Sequence, residues 1–311
     1  MDQTINYSIV ILTYDRPDAL RMLLGELAQL TTPGVEVIVV DNCPEKPATA
    51  VLNDFSFVKL VAATKNLGAE GRNLGLAVAQ AEIIVCLDDD VSGLTDAGLA
   101  ALTPIFVDPA VGSVNFKVIE FGTWELTNWV HHCDSDLYRE RVFETYEITE
   151  GAVAFRRSAL QKSGLYPEGF FLSHEGPDLA FRIIDAGYRV IYSPATQVIH
   201  AYSPRGRTAW RNYYYDTRNT LWMVVRNLPF WYGTRTLIRQ TGAMFIYAVR
   251  DRFVIWWFRG LIDALRGLPK AHRERHKIGR AAMRYIKLID RNRPGLWTLI
   301  RRRLFQTKIK L

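Results

Sequence analysis

The chain has 311 residues, of which 49% are hydrophobic and 23% charged, so it can bury a substantial core as one large domain or as a domain with an appendage. No uninterrupted apolar run reaches the roughly eighteen residues of a membrane span; the best candidate, 242–265, is broken by Arg250, Asp251, Arg252 and Arg259, and no internal repeat or low-complexity segment is evident. Charge divides the chain in two, with 14 Lys and Arg against 27 Asp and Glu in residues 1–200 and 25 against 5 in residues 201–311.

The amino terminus lacks the basic-then-apolar pattern of a signal peptide. Cys43, Cys86 and Cys133 show no paired spacing, which points to structural thiols in a reducing compartment. Residues 8–13 form a fully apolar strand, followed by Tyr14-Asp-Arg-Pro-Asp and a helical stripe of Leu20, Leu23, Leu24, Leu27 and Leu30 that ends at Pro33-Gly34. The next buried strand, 35–40, terminates in Asp41-Asn42, completing a βαβ unit of the kind found in a parallel sheet covered on both faces.

A strand over 58–63 leads through Asn66 and Arg72 to a small-residue helix from about 74 to 80. Gly68, Gly71 and Gly75 resemble a dinucleotide fingerprint only superficially. They do not follow the first strand and lack the acidic partner for a ribose, which excludes a Rossmann oxidoreductase. The apolar strand from Ile83 then ends in Asp88-Asp89-Asp90. Alternation along a strand would put Asp88 and Asp90 on one side and Asp89 on the other. Hard oxygen ligands so placed suit Mg2+ or Mn2+ bound together with substrate phosphates; the competing reading is an acidic turn capping a helix.

Residues 113–119 and 148–156 read as further strands, separated by a loop-rich insertion over 124–144. Within it, His131-His132-Cys133-Asp134 lacks a second ligand pair for zinc and reads as a solvated or substrate-facing loop. In 170–193, Pro177 fits the first helical position, Gly187 the position after the helix, and Leu179, Ile183 and Ala186 an apolar stripe. Glu175 and Asp178 therefore stand at the helix start, where the dipole favours their ionised forms.

After His200 the surface chemistry changes. Segments 210–228, 235–249 and 253–268 have the composition of amphipathic helices punctuated by Pro229 and Pro269. Six of the eight Trp lie here, at 210, 222, 231, 256, 257 and 297, among many Arg. That mixture suits a region lying on an anionic membrane surface, at the cytoplasmic face, without spanning it. The expected division is 1–203 as a catalytic domain and 204–311 as a basic helical membrane-associating region.

Taken in order, Thr13-Tyr14-Asp-Arg-Pro, Asp41, the run from Asn66 through Arg72-Asn73, Leu87-Asp88-Asp89-Asp90, Gly151 with Phe155-Arg156-Arg157, and Glu175-x-x-Asp178-Leu-x-x-Arg182 resemble glycosyltransferase family 2 over about residues 7 to 200. The likeness is nearest to bacterial rhamnosyltransferase-like enzymes. It implies a GT-A fold, an α/β architecture with a mostly parallel central sheet. In such enzymes Asp41 would meet the nucleobase, framed by backbone near Thr13 and Tyr14, and Asp88 the ribose, with Arg72 and Asp89 among the donor-binding residues. Asp90 would hold Mg2+ or Mn2+ on the donor diphosphate, and His200 resembles the late metal-contacting residue.

Relatives carry Glu-Asp-x-Asp at the helix start and use the second acid as base, whereas this chain has Gly176 there. Glu175 and Asp178 remain as candidate bases, with Glu175 favoured because it precedes the helix. The resemblance implies an inverting, metal-dependent transfer from a UDP- or dTDP-sugar to a saccharide or polyprenyl-linked acceptor in surface polysaccharide assembly, with no specific nucleic acid as partner. A sugar nucleotidyltransferase should open with a Gly-rich basic loop, unlike Thr13 to Pro17. A non-catalytic protein whose tail grips lipid or nucleic acid leaves the acidic front half unexplained.

Overall fold

A computed structural model describes residues 5–201 and 208–294. Among these, nine strands form one sheet in the order β3-β2-β1-β4-β8-β6-β9-β5, with β7 paired to β9. The first half is β1 (Tyr7–Thr13), α1 (Pro17–Leu27), β2 (Val35–Asp41), α2 (Thr49–Leu52), β3 (Val58–Ala62), α3 (Arg72–Val78), β4 (Ile83–Asp88) and β5 (Val91–Ser92). Strands β1 to β4 are parallel, and the apolar runs of β1, β2 and β4 are buried on both faces as their composition requires.

The chain continues through α4 (Asp96–Ala100), α5 (Leu102–Phe106), β6 (Val111–Glu120), α6 (Ser135–Tyr138), β7 (Phe143–Thr145), β8 (Ala152–Arg156), α7 (Arg157–Ser163), α8 (Glu175–Asp185) and β9 (Arg189–His200). Strand β8 runs antiparallel to both β4 and β6, whereas β6 and β9 are parallel. One face of the sheet is covered by Leu20, Leu24, Leu99, Leu102 and Phe106, the other by Leu76, Leu160, Leu179, Ile183, Met223 and Ile286. The chain leaves β1 toward β2 and β3 and then returns to β1's other side with β4. The resulting crevice, at the carboxyl ends of β1 and β4, is a topological switch point.

The carboxy-terminal region contains α9 (Trp210–Asn227), α10 (Phe230–Arg250), α11 (Val254–Arg273) and α12 (Arg280–Ile289). Pro229 caps α10 as expected, but Pro269 lies inside α11, which runs one turn further to Arg273. Helix α12 and the short α4, α5 and α7 were not foreseen, and the expected loop-rich insertion contains α6 and β7. No helix among the described residues is long and apolar enough to cross a membrane.

The tryptophans of this region mostly pack helix against helix. Trp210 stacks on Trp256 with ring centroids 4.0 Å apart, and the indoles of Trp222 and Trp257 donate to Ala264 O and Thr241 O. Only Trp231 among the described ones stands out into solvent, at 84% exposure, and Trp297 lies outside the described residues. Helix α9 rests on α8 and shares its core through Met223 and Val224, so the jump in charge near residue 200 is not a break in packing.

Candidate active site

The carboxyl ends of three parallel strands bring the acidic residues together. In register, Thr13 lies opposite Asp41 and Leu12 opposite Asp88, so one crevice is bounded by the ends of β2, β1 and β4. The alternation expected through Asp88, Asp89 and Asp90 stops with the strand, because residues 89–90 form a turn. Asp89 and Asp90 are both buried and both bind Arg16, whose Nη1 donates to Asp89 Oδ1 at 2.8 Å and Asp90 Oδ2 at 2.7 Å. Asp88 turns away from them to pair with Arg72 and keeps 29% of its side chain open.

Each predicted donor-site residue has a definite place. Asp89 accepts from Thr13 Oγ1 at 2.7 Å and from Tyr14 N at 3.3 Å, and so anchors the loop after β1. Burial pushes its carboxyl up to about 6, against the pull of Arg16 and Thr13. Burial disfavours the Arg16 charge, but Asp89 and Asp90 outweigh it and raise its pKa. Asp41 accepts from the amides of Cys43 at 3.1 Å and Ala48 at 2.7 Å, thereby shaping the loop between β2 and α2. Tyr14 is exposed at the rim.

The last strand supplies His200. Its register neighbours are Val91 and Glu120, and its Nε2 lies 3.4 Å from Asp90 Oδ1, with both side chains buried. A hard carboxylate oxygen and an imidazole nitrogen together fit one Mg2+ or Mn2+ whose remaining positions come from phosphate and water. Among the described residues no group of three His, Cys, Asp or Glu could hold a metal unaided. His131 and His132 serve packing instead. His131 bonds Thr145 Oγ1 at 3.2 Å and His132 stacks on Tyr146 at 4.6 Å, and burial lowers both rings to about 3.

The second half of the site is the start of α8. Phe171, Ser173 and His174 all have left-handed φ, at 63°, 69° and 65°, which is costly for non-glycine residues. The strain is held by α9. Asn219 Nδ2 donates to Phe170 O, Leu172 O and Ser173 O at 2.9, 2.6 and 2.8 Å, and Arg218 donates to Gly169 O and Phe170 O. His174 Nε2 meets Thr220 Oγ1 at 2.9 Å and Asp216 Oδ1 at 3.3 Å. Burial opposes its charge, but Asp216, with Glu147 and Glu175, raises its pKa on balance.

The two candidate bases are thereby separated in role. Glu175 is buried, and burial raises its pKa while its own backbone amide, Arg72 and His174 hold the rise in check. Asp178 does not reach the crevice: it is fully buried, and its oxygens receive Arg182 Nε at 3.0 Å, Arg226 Nε at 2.8 Å and Asn227 Nδ2 at 2.6 Å. These donors come from α8 and α9, so the Asp178 carboxylate ties the first turn of α8 to the end of α9. Its place at the helix start concealed this, because Arg226 and Asn227 lie forty-eight and forty-nine residues away.

Sequence reasoning missed Arg16, Glu150 and the α9 clamp. Arg16 carried a signal, being a basic residue in the loop between β1 and α1 beside the acidic end of β4. Glu150 carried little, preceding Gly151 at the edge of β8. In this structure Arg72 Nη1 lies 3.4 Å from Glu150 Oε2 while Arg72 also binds Asp88, so the buried guanidinium bridges two partly open acids.

A crevice of acids at the switch point of a sheet with this strand order defines a GT-A fold, shared with solved structures. Staphylococcus aureus TarS 1-349 in complex with UDP-GlcNAc superposes with a TM-score of 0.60 at 16% identity, covering 93% of this chain and 89% of that one. A mannosyltransferase of Pyrobaculum calidifontis in complex with GDP-Man and Mn2+ gives 0.58 at 16% identity, covering 99% and 89%. The sequence pattern of glycosyl transferase family 2 matches residues 8–164, and the chain belongs to that family. A curated relative, the O-antigen biosynthesis protein RfbC of Myxococcus xanthus, is 27% identical over 221 residues, which are 63% of this chain and 17% of RfbC. The chain thus spans about a sixth of that relative's length.

Proposed function

We propose that the protein is an inverting, Mg2+- or Mn2+-dependent glycosyltransferase that moves a sugar from a UDP- or dTDP-sugar to a saccharide or polyprenyl-linked acceptor in surface polysaccharide assembly. The observation that carries this reading is the crevice at the ends of β1 and β4, where Asp88 stands open and the buried Asp90–His200 pair lies beside it. Asp90 and His200 would hold the divalent ion, which when bound supplies countercharge to the departing nucleoside diphosphate. TarS and the mannosyltransferase support the reading as carriers of nucleotide sugars on the same fold.

The chain's own residues do the remaining work. Asp88, oriented by Arg72, accepts the ribose hydroxyls. Tyr14 and the loop shaped by Asp41 wall the nucleobase, while Asp89 fixes the backbone of Thr13 and Tyr14 from below. The acceptor hydroxyl attacks the anomeric carbon opposite the leaving diphosphate and gives its proton to Glu175, so one displacement inverts the centre. Asp178 holds α8 against α9. We therefore extend the catalytic unit through α9 and leave α10 to α12 as the basic appendage.

Calorimetry tests the assignment. Asp90→Ala is expected to abolish the Mn2+ dependence of UDP-GlcNAc or dTDP-sugar binding and to lower turnover by about a hundredfold or more. Equal Mn2+ dependence in both proteins would refute the metal role of Asp90.

The appendage is read as a membrane-facing surface. Phe245, Ile246 and Val249 on α10 and Phe258, Ile262 and Leu265 on α11 are exposed large apolar residues, with exposed Arg235, Arg250, Arg259 and Arg266 on the same helices and exposed Arg252 between them. Arginine heads beside an apolar surface suit an anionic bilayer. A quadruple Phe245, Phe258, Ile262 and Leu265→Ser variant is expected to lose co-sedimentation with phosphatidylglycerol vesicles while keeping its Mn2+-dependent nucleotide binding. Undiminished sedimentation would contradict the membrane role.

A further inference from the structure

Strand β8 runs antiparallel to both β4 and β6, so β6 points the same way as β4 and its carboxyl end emerges on the edge of the sheet that holds the crevice. One strand separates the two ends, about 10 Å at the usual strand spacing. There the chain turns in a tight hairpin. Ile119 pairs antiparallel with Leu126, Glu120 N donates to Glu125 O at 2.8 Å, and Thr127 N donates to Val118 O at 2.9 Å. The hairpin is tied to the Asp90–His200 end of the crevice, because Glu120 lies opposite His200 in register and Phe121 N donates to His200 O at 3.0 Å. The start of α8 lies between that hairpin and Asp88. A Cβ built on Gly176 would stand 2.6 Å from Glu150 Oε1 and 3.1 Å from Ile148 Cβ, in the segment that leads into β8, the strand between β4 and β6.

The tip displays two large rings. Phe121 and Trp124 are 64% and 59% exposed, with centroids 6.0 Å apart and planes inclined at 56°, so they form one open aromatic surface. Trp124 holds a left-handed φ of 60°, a conformation a bulky residue rarely adopts. Trp129 in the same insertion is different: it packs against His131, Phe143 and Tyr192 and donates its indole N–H to Cys133 O at 2.9 Å. Charge decides what the tip can take. From Val118 to Tyr138 there are four acids, Glu120, Glu125, Asp134 and Asp136, and no Lys or Arg. An anionic bilayer or a nucleic acid is repelled by such a surface, whereas the exposed apolar residues of α10 and α11 lie among arginines. An uncharged sugar ring suits both parts of it. Its C–H face meets the negative faces of the aromatic rings, and its hydroxyls can donate to a carboxylate.

Resting on the reading of the protein as a glycosyltransferase, we propose that the Phe121–Trp124 hairpin tip binds the acceptor and that the acceptor is an uncharged saccharide at this end. Its sugar residues stack on the two rings, and Glu125, exposed beside Trp124, accepts from their hydroxyls. The order along the edge is then donor at the ends of β2, β1 and β4, base at the start of α8, and acceptor at the end of β6.

Nuclear magnetic resonance on the full chain with 15N-labelled tryptophan reads the site. The Trp124 indole signal, assigned by its loss in Trp124→Gly, is expected to shift with millimolar maltotriose, chitotriose, mannotriose or a rhamnose disaccharide. Glycine suits the left-handed backbone, so this variant removes the ring and keeps the turn. In turnover with Mn2+, a UDP-, GDP- or dTDP-hexose and the sugar that binds, Trp124→Gly is expected to raise the acceptor KM about tenfold, the loss of one stacked ring, with a smaller effect on kcat. Trp124→Tyr should keep most of the wild-type value, whereas a purely structural hairpin would show no such split. A Trp124 signal unmoved by all four sugars overturns the proposal, as does a response to trigalacturonate alone. Co-sedimentation with phosphatidylglycerol vesicles that falls in folded Trp124→Gly would mark a membrane contact and also overturns it. Sugar binding at Trp124 in a chain that takes up no nucleotide sugar with Mn2+ overturns the functional reading instead, and with it the acceptor role.

Discussion

Glu175→Gln is expected to lower sugar transfer by about 10² to 10⁴-fold, the range a positioned general base supplies, with little change in donor affinity. The amide matches the carboxylate in shape and cannot accept the proton. Because burial raises the Glu175 pKa, the wild-type rate should climb as pH rises through that raised value, above the ordinary 4.5 of a glutamate, and the limb should vanish in the variant. Stability should move the opposite way over part of the same window. Glu147 and Glu150 are each pushed up to about 8 by burial, so the folded chain retains protons that the unfolded chain gives up above about 4.5. The unfolded state therefore binds fewer protons between those values, and stability falls as pH rises across them. Turnover against pH and thermal melts against pH check the two limbs separately. A Glu175→Gln enzyme with wild-type kcat would remove this residue from the chemistry.

Asp178→Ala is expected to destabilise the fold by about 3 to 5 kcal/mol, because it leaves Arg182 and Arg226 largely buried without their shared countercharge. Arg226 would retain Glu274, but Arg182 would keep only the carbonyls of Ser163 and Leu165. Asp178→Asn should cost less, since the amide oxygen can still accept from Asn227. Urea melts of the two variants give the comparison. If both unfold with the wild-type midpoint, the cluster contributes no net stability. If Asp178→Asn melts normally yet loses turnover, the residue acts in the reaction and the assignment made here is wrong.

The parts of the fold legible in the sequence were those whose signal is local. The buried strands β1, β2 and β4 announce themselves as short apolar runs, and the acids at their carboxyl ends mark the crevice before any coordinates are known. Helix α8 was legible from Gly187 and its stripe, but it starts at Glu175, two residues before the Pro177 expected to open it, so Glu175 is the first helical residue and does not precede the helix. What could not be read depends on distant partners. Asp178 looked like a helix-start acid because its other neighbours, Arg226 and Asn227, come from α9. The bonds of Asp89 to Thr13, Tyr14 and Arg16 could not be read, because they join segments more than seventy residues apart. Glu150 was invisible because its partner, Arg72, comes from α3.

The jump in charge at residue 200 misled in a similar way, since composition sorts residues by the solvent they prefer and not by the neighbour they hold. Asn219 alone carries three carbonyls of the left-handed stretch before Glu175. A chimera that carries this crevice on another anchor should therefore be cut after Asn227, where α9 ends, since a splice at the charge boundary would discard the bonds that hold the start of α8.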